Sequence, residues 1–258
     1  MKCMTFNVWN YAHNWPRRRA ILAELIRRHN PDVAVLQETR HDFRFERGKG
    51  QGEQLAELTG YHLTWRVGQV YVPLLRVDEG LSILSRQKPD SIMSCRLSRL
   101  PREREDGSQR VCLGIATQIE GTEVHIYTSH FSLSEQARIR NALEVSRFVR
   151  QQSGGTPSIL MGDLNALPDT PPMQVLRGEV TVDGLTGDFT DCWWQAEGDA
   201  PGFTYASWEP VRRIDYVFAR YLPTPVHAEV IGGVATDGVY ASDHMGVVVE
   251  WDVRASSS

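Results

Sequence analysis

The sequence contains few cysteines and no long apolar run. Four of its 258 residues are cysteines, Cys3, Cys95, Cys112 and Cys192, and none stands in a C-x-x-C pair or at the spacing of a metal site. This usage indicates reduced thiols and excludes a disulfide scaffold. The longest apolar stretches, such as VAVL at 33–36, are far shorter than the ~18 residues of a membrane span, so we expect no transmembrane segment.

The chain also lacks an excess of basic charge. Lys and Arg total 28 against 32 for Asp and Glu, which gives a formal net charge of −4. An excess of acid argues against a protein that binds long nucleic acid by counterion release, although a local basic rim could still hold one phosphorylated ligand. Because a strand-like segment follows Lys2 directly, there is no room for the apolar core of a signal peptide, and we expect a cytoplasmic location.

Internal repeats and Gly/Ser-rich or Pro-rich linkers are absent as well. A chain of this length can bury roughly three quarters of its unfolded surface, so it needs neither disulfides nor a metal to stay folded. We therefore expect one domain over 1–254, followed by a disordered tail at 255–258.

Two helical patterns and a series of short strand patterns are present. Apolar residues at helical spacing predict one helix from Asn14 to about Asn30 and another over about 134–152, which Ser132 and Glu135 would open as a capping box. Strands are predicted over 1–8, 33–36, 81–84, 111–118, 124–129, 158–161, 214–218, 226–231 and 245–251. This pattern indicates an α/β fold of two packed sheets with outer helices. The polar segment 98–109 is expected to be an exposed, mobile loop.

Isolated polar residues stand in or at the ends of these predicted strands: Asn7, Glu38, His130, Asp163, Asn165, Asp215, Asp243 and His244. Side chains that leave one edge of a buried sheet can converge on one spot, and a buried carboxylate such as Asp215 needs a partner or a metal. Each residue alone also has a structural interpretation. Asn7 could bind a loop, Glu38 or Asp243 could form a rim salt bridge, and a lone histidine is more often satisfied in a core.

The segment GDLN at 162–165 is the strongest local signal. Residues two apart on an extended segment face the same side, so Asp163 and Asn165 can address one ligand together. Gly162 would let the backbone approach that ligand closely. The alternative is an Asx turn ahead of Pro168.

Seven short motifs together carry a resemblance that none of them carries alone. They are TFN at 5–7, LQET at 36–39, EGLSILS at 79–85, SHF at 129–131, GDLN at 162–165, RIDY at 213–216 and SDH at 242–244. Their order resembles that of the endonuclease/exonuclease/phosphatase superfamily, whose fold is similar to deoxyribonuclease I. The resemblance spans residues 5–244 and implies a four-layered α/β/β/α sandwich of two packed mixed sheets with outer helices.

The resemblance also implies a Mg²⁺-dependent hydrolase of phosphodiesters or phosphomonoesters, with Mn²⁺ as a possible substitute. By similarity, Glu38 would be the principal metal ligand and Asp243 would contribute, while Asn7 would hold the metal or the metal-bound phosphate. Mg²⁺ takes oxygen ligands and keeps several waters, so a site with few carboxylates suits it.

The remaining motif residues acquire catalytic roles from the same resemblance. Asp163 and Asn165 would position the attacking water, with Asp163 as the general base, and His244 would stabilise charge on the phosphoryl group. Asp215 would accept the other imidazole N–H of His244. His130 is a second candidate acid, and Glu79 matches the carboxylate that pairs with it, so which histidine is acid and which is base stays open.

Substrate-binding residues are expected in the loops around these motifs. Arg40 begins a basic segment just after Glu38, and the loop from Phe203 to Arg213 resembles the one that precedes the RIDY strand in small bacterial members. Loop aromatics could stack a base or cover a lipid headgroup, or simply pack the loops: Trp9, Tyr11, Trp15, Trp193, Trp194, Phe203, Tyr205 and Trp208.

The substrate class has several alternatives. A phosphorylated small molecule, a nucleic acid and a lipid headgroup all fit, and no stable protein partner is implied. A repair endonuclease on abasic DNA is disfavoured because Val8 and Trp9 follow Asn7 and His130 stands where those enzymes carry tyrosine. The further alternatives are a DNA nuclease, a sphingomyelinase-like lipid phosphodiesterase and a non-catalytic binding relative.

Overall fold

The computed structural model describes residues 1–45, 48–73, 77–100 and 107–253. In chain order its elements are β1 (Lys2–Asn7), α1 (Trp15–His29), β2 (Val33–His41), α2 (Gln51–Thr59), β3 (His62–Val72), β4 (Val77–Ser85), β5 (Ser91–Arg96), β6 (Val111–Ile119), β7 (Thr122–Ser129), α3 (Glu135–Ser153), β8 (Ser158–Asp163), α4 (Pro171–Arg177), β9 (Thr190–Asp191), α5 (Cys192–Glu197), β10 (Asp215–Arg220), β11 (His227–Ile231) and β12 (Gly246–Glu250).

The described strands form two mixed sheets of six strands each. Sheet 1 has the order β11-β12-β1-β2-β4-β3, and sheet 2 has the order β5-β6-β7-β8-β10-β9. Each sheet contains one parallel pair, β1 with β2 and β7 with β8, among antiparallel neighbours. A parallel pair requires a crossover, which α1 supplies in sheet 1 and α3 in sheet 2.

The core lies in three layers that follow from the alternation of side chains along the strands. On β1, Cys3 faces the cluster between the two sheets, whereas Met4 and Phe6 face the opposite way. These two pack with Leu22 and Ile26 of α1. A third cluster joins α3 to the outer face of sheet 2. The arrangement confirms the predicted four-layered α/β/β/α sandwich.

Helix α1 begins and ends where its sequence signals stand. The Asn14 side chain accepts a hydrogen bond from the Arg17 amide, and Asn30 ends the helix in the left-handed conformation with φ of 49°. The cap of α3 differs from the prediction, because Ser134 accepts from the Ala137 amide. The hydroxyl of Ser132 instead accepts from the Ser134 amide, so the predicted capping box at Ser132 is wrong.

The prediction missed β3, β5, α2, α4, α5 and β9. Strands β3 and β5 are the outer strands of their sheets and carry many exposed residues, which hides the apolar pattern of a strand. Strand β2 also continues past the predicted 33–36 to His41, through a register shift between Leu36 and Thr39. Residues 101–106 of the predicted loop and the predicted tail at 255–258 lie outside the described residues.

All four cysteines are free thiols in the structure. Within the described part of the chain, none of the helices has the length and apolar character needed to span a bilayer.

Candidate active site

Both sheets direct polar side chains to one common edge. The parallel pairs β1/β2 and β7/β8 both end there, and Asp215, at the start of β10, lies opposite Asp163 in register. The residues gathered at or next to this edge are Asn7, Glu38, His130, Asp163, Asp215, Asp243 and His244. The structure thus brings together segments that are far apart in the chain.

Asn7 links the two sheets through one amide group. Its Nδ2 donates to Glu38 Oε1 at 3.1 Å and to Asp163 Oδ2 at 3.0 Å, and its Oδ1 accepts from the Trp9 amide at 2.9 Å. The NH₂ group has one hydrogen for each carboxylate. Its oxygen faces the backbone in this structure, and the metal and phosphate contacts predicted for Asn7 stay predictions.

Glu38 occupies the irregular point of β2 at which the pairing with β4 shifts register. Its φ of 55° lies in the left-handed region, which aims the side chain away from the regular pleat. Asn10 Nδ2 donates to the second carboxylate oxygen, Oε2, at 3.1 Å. Burial and the charge of Glu79 raise the pKa of Glu38. Sequence reasoning missed Asn10, although a second amide three residues after Asn7 was a visible signal.

Arg18 fixes the loop that carries Asn10. Its guanidinium is buried and donates to backbone carbonyls of the loop 8–12 and to that of Ala241, two residues before Asp243. Arg18 donates its hydrogens to these backbone oxygens and forms no direct ion pair with Glu38 or Asp243. The basic run at 17–19 was visible in the sequence, but its inward direction was not.

The donor set on this side fits a divalent cation. Burial raises the pKa of Asp243, and the charge of Asp243 contributes to the raised pKa of Glu38. Among the described residues neither carboxylate forms an ion pair, although both are partly buried. Two carboxylates that repel one another, with oxygen donors only, suit Mg²⁺ or Mn²⁺.

Asp163 lies between two imidazole rings. Its Oδ2 is 3.4 Å from His130 Nε2 and 3.7 Å from His244 Nε2, and its Oδ1 accepts from the Asn165 amide at 3.0 Å. Burial raises the pKa of Asp163 to about 7, an effect that the charge of Asp215 increases and that of His244 opposes. A carboxyl group tuned in this way can exchange a proton near neutral pH.

His244 is held by a second carboxylate on its other side. Its Nδ1 is 2.9 Å from Asp215 Oδ2, as predicted. Burial works against the charged ring, but the carboxylates of Asp215 and Asp163 outweigh it and raise the pKa of His244 to about 10. The protonated ring therefore presents Nε2–H towards Asp163. The ring of Tyr205 lies 4.8 Å away and covers it.

His130 has the opposite charge state. Burial, followed by the charges of Arg110 and His244, holds its pKa well below the ordinary value, so the ring is neutral. The predicted partner of His130 is also different. Glu79 Oε2 accepts from Arg40 Nη2 at 2.8 Å and not from His130. Glu79 and His130 nevertheless line one pocket, together with Glu38.

Asp163, Asp215 and His244 could also be considered as a metal site, because their ligand atoms all lie within 4.8 Å of one another. The imidazole would then have to ligate as a neutral ring, whereas its two carboxylate neighbours favour the protonated form. Binding of a cation by these three residues would therefore release the proton of the His244 ring.

The backbone of the GDLN segment is shaped by a close contact between strands. Gly162 has a φ of 149°, and a Cβ atom there would lie 2.0 Å from the Ser129 carbonyl oxygen. Only glycine fits, and this close approach sets Asp163 beside the end of β7. Asn165 is held by donation from its Nδ2 to the Phe131 carbonyl at 3.1 Å.

The predicted substrate residues separate into two groups. Phe203 is exposed in the loop that carries Tyr205, and Arg40 pairs with Glu79 and stacks on Tyr71 at the surface. Arg213 is buried and donates to both carboxylate oxygens of Asp191, at 3.0 and 2.8 Å. It is engaged inside the fold, so the substrate contact predicted for Arg213 is not supported.

Comparison with known proteins agrees with the family resemblance that the sequence motifs indicated. A family model described as "Endonuclease/Exonuclease/phosphatase family" matches residues 4–244, while no curated protein matches. A family protein of that name from Leptotrichia buccalis is 21% identical, with 98% of this chain and 99% of that chain covered and a TM-score of 0.75. One from Beutenbergia cavernae is 25% identical, covering 96% and 70% with a TM-score of 0.74. A mannosyl-6-phosphatase from Bacteroides thetaiotaomicron is 20% identical, covering 97% and 98% with a TM-score of 0.74.

Proposed function

The chain belongs to the endonuclease/exonuclease/phosphatase family, and on that premise we propose that it is a metal-dependent hydrolase that cleaves a phosphoester bond by in-line attack of an activated water. The observation that carries the proposal is the bridging amide of Asn7. It sets a carboxylate without an ion pair, Glu38, on one side and a carboxylate with a pKa of about 7, Asp163, on the other. In this proposal one amide, that of Asn7, therefore holds both the metal ligand Glu38 and the base Asp163.

Glu38 and Asp243 would hold Mg²⁺, or Mn²⁺ in its place. When bound, a divalent ion polarises a phosphoryl oxygen and neutralises developing charge. Asn10 and Asn7 orient the two oxygens of Glu38, and Arg18 keeps the loop of Asn10 in place. In this proposal these side chains position the ligands.

Asp163 acts as the base in the proposal. A pKa of about 7 allows the carboxylate to be ionised before the reaction and to accept a proton from the attacking water. Asn7 and the Asn165 amide orient it by donating to Oδ2 and Oδ1.

His244 and His130 take different parts because their charges differ. The protonated ring of His244, oriented by Asp215, donates Nε2–H to a phosphoryl oxygen as charge builds up. A neutral imidazole is a weak acid, so His130 is not assigned the role of proton donor. In the proposal it lies beside Asp163 and forms a hydrogen bond with the leaving oxygen.

The test is a hydrolysis panel with metal-free protein to which Mg²⁺ or Mn²⁺ is added back. The substrates are bis-p-nitrophenyl phosphate, p-nitrophenyl phosphate, nicked and single-stranded DNA, sphingomyelin and inositol phosphates. We expect metal-dependent hydrolysis of at least one, and the best substrate defines the class, including the DNA and sphingolipid alternatives.

Glu38→Gln and the matched exposed variant Asp199→Asn complete the experiment. The first is expected to lose metal-dependent turnover and the second to keep it. Absence of metal-dependent hydrolysis throughout the panel, or full activity in Glu38→Gln, would overturn the proposal.

A further inference from the structure

Two of the four cysteines face each other across neighbouring strands of sheet 2. Cys95 on β5 lies directly opposite Cys112 on β6 in the antiparallel register. Both side chains are on the outer face of the sheet, where Cys112 belongs to the cluster beneath α3 and Cys95 packs against that cluster. The two thiols are close enough to share a side-chain hydrogen bond. Their sulfur atoms are therefore neighbours in the folded protein.

This position permits a disulfide after a small movement of one strand. Facing residues of an antiparallel pair have Cα atoms about 4.5 to 5.5 Å apart, inside the range of about 4.4 to 6.8 Å that disulfides span. Their Cβ atoms are about 4.5 to 5.5 Å apart and would have to approach by roughly 1 Å. Among the described strands β5 is the outer one of sheet 2, with a neighbour on one side only, so it can move towards β6.

The two thiols differ in access and in acidity. Cys95 is partly exposed, whereas Cys112 is fully buried. The hydrogen bond with Cys112 is the main cause of a lowered pKa at Cys95, although burial and the charge of Glu144 oppose it. Burial raises the pKa of Cys112 well above the ordinary value. An accessible thiol of lowered pKa beside a second thiol is the arrangement of an attacking and a resolving cysteine.

The other two cysteines have neither property. Cys3 and Cys192 lie in the cluster between the two sheets and are fully buried. Burial also raises the pKa of each of these thiols. A buried thiol in apolar surroundings is inert, so we expect both to stay reduced when an oxidant acts from the solvent. They provide an internal control within the same chain.

We propose that Cys95 and Cys112 form a site of reversible oxidation, at which hydrogen peroxide joins the two thiols in one disulfide across β5 and β6. The Cys95 thiolate attacks the peroxide, so that an S–O bond forms, the O–O bond breaks and the departing oxygen is protonated to water. The sulfur of Cys112 then attacks the sulfenic acid of Cys95. The S–S bond forms, and the hydroxyl group leaves with the Cys112 proton as a second water. The two thiols lose two electrons, and the peroxide accepts them.

The geometry also accounts for reversibility. A disulfide that forms only when an edge strand is drawn inward stores strain, and strained disulfides are the ones that reductants open readily. A dithiol should therefore return both cysteines to the thiol state.

The site lies one strand away from the proposed reaction centre. On its other side Cys112 is opposite Ser129 of β7, the residue before His130. The thiol chemistry itself requires neither a metal nor a substrate. The inference therefore goes beyond the proposed function and stands or falls separately from it.

Thiol counting and peptide mapping on the folded, fully reduced protein test the inference. Hydrogen peroxide is added in small molar excess, the reaction is stopped in acid, and the free thiols of the denatured chain are counted. We expect the count to fall from four to two, with one cross-linked peptide that joins Cys95 to Cys112. Incubation with a dithiol should restore all four. Retention of four thiols, or a disulfide that involves Cys3, Cys192 or a second molecule, would overturn the inference.

Three variants sharpen the test. Cys95→Ala should keep its three remaining thiols under the same treatment, whereas the matched control Cys3→Ala should lose two thiols as the wild type does. Cys112→Ala removes the resolving thiol, so dimedone should trap a sulfenic acid at Cys95. Loss of thiols in Cys95→Ala, or no trapped sulfenic acid in Cys112→Ala, would contradict the proposed steps. The peptide map of the wild type decides the inference if a variant fails to fold.

Discussion

The two sheets place different chemistry at equivalent positions. In sheet 1 the end of β1 carries the amide of Asn7 and the register shift within β2 carries the carboxylate of Glu38. In sheet 2 the ends of β7 and β8 lead to an imidazole and a carboxylate, His130 and Asp163. In the proposed mechanism the same strand-helix-strand unit thus yields a metal-binding side in sheet 1 and a proton-transfer side in sheet 2. The difference comes from the partners of each carboxylate and from the backbone, because Glu38 lies at a register shift with a positive φ whereas Asp163 ends strand β8.

The two histidines beside Asp163 also differ because of their neighbours. Both rings are buried and lie within 3.7 Å of the same carboxylate oxygen, yet their pKa values move in opposite directions. Asp215 stabilises the charged form of His244, and Arg110 disfavours that of His130. Burial alone lowers both, so neighbouring charge decides the sign.

The largest expected effect comes from removing Asp163, the proposed proton acceptor of sheet 2. Asp163→Asn keeps the shape and should lower kcat by about 10³-fold, within the range of general-base catalysis. Because burial disfavours the charge of Asp163, we expect no loss of stability. Steady-state kinetics and thermal unfolding measure both. Asp169→Asn on the surface is the control, and more than a tenth of wild-type turnover in Asp163→Asn would contradict the division between the sheets.

The next effect concerns the backbone that carries Asp163. Gly162→Ala should lower the free energy of unfolding by about 3 kcal/mol or more, since the Cβ would meet the Ser129 carbonyl at 2.0 Å. Gly121→Ala is the matched control, because Gly121 also has a positive φ, 83°, but no neighbouring atom within 4 Å of a Cβ. Denaturant unfolding compares them. Equal losses in the two variants would show that φ alone, and not the contact with β7, matters.

A smaller effect distinguishes the amide that serves both sheets from the one that serves sheet 1. Asn7→Ala should lower kcat by about 10²-fold, because it releases Glu38 and Asp163 together, whereas Asn10→Ala should lower it about tenfold. A metal titration of activity gives the second readout. Asn10→Ala should weaken the metal dependence and leave the pH profile unchanged, and a changed profile would contradict its assignment to sheet 1.

The smallest effect is spectroscopic and involves no turnover. In the metal-free protein, NMR titration of the imidazole rings should show His244 charged up to about pH 10 and His130 neutral at pH 7. The sign follows from a raised pKa for His244 and a lowered one for His130. Asp215→Asn should lower the pKa of His244. Two rings that titrate together near pH 6.5, the ordinary value, would remove the contrast between them.

The fold was largely predictable because its signals are local. The apolar period of α1 and the buried run of β8 mark their own positions, and the order of motifs indicated the family. Edge strand β3 and the nine-residue helix α2 were not predictable, because exposed residues interrupt the pattern of the first and little apolar surface marks the second.

The candidate site was predictable as a set of residues but not as a set of contacts. Asn7, Glu38 and Asp163 do meet, as the motif order implied. The pairing of Glu79 with Arg40 and of Arg213 with Asp191 was not predictable, since each depends on which strands become neighbours. Arg110 and Asn10 belong to no motif. Only the tertiary structure shows that the charge of Arg110 acts on His130 and that Asn10 donates to Glu38.

By itself the sequence determined most of the strands, the two main helices and the polar residues in or at the ends of strands. The reason is that the period of the side chains and the flanking turn residues are both set by consecutive positions. The tertiary structure alone decided which of those polar groups face each other and which carry charge. Asn7 and Asp163 are 156 positions apart, and the pKa of each group depends on burial and on neighbouring charges, which exist only after the sheets have packed.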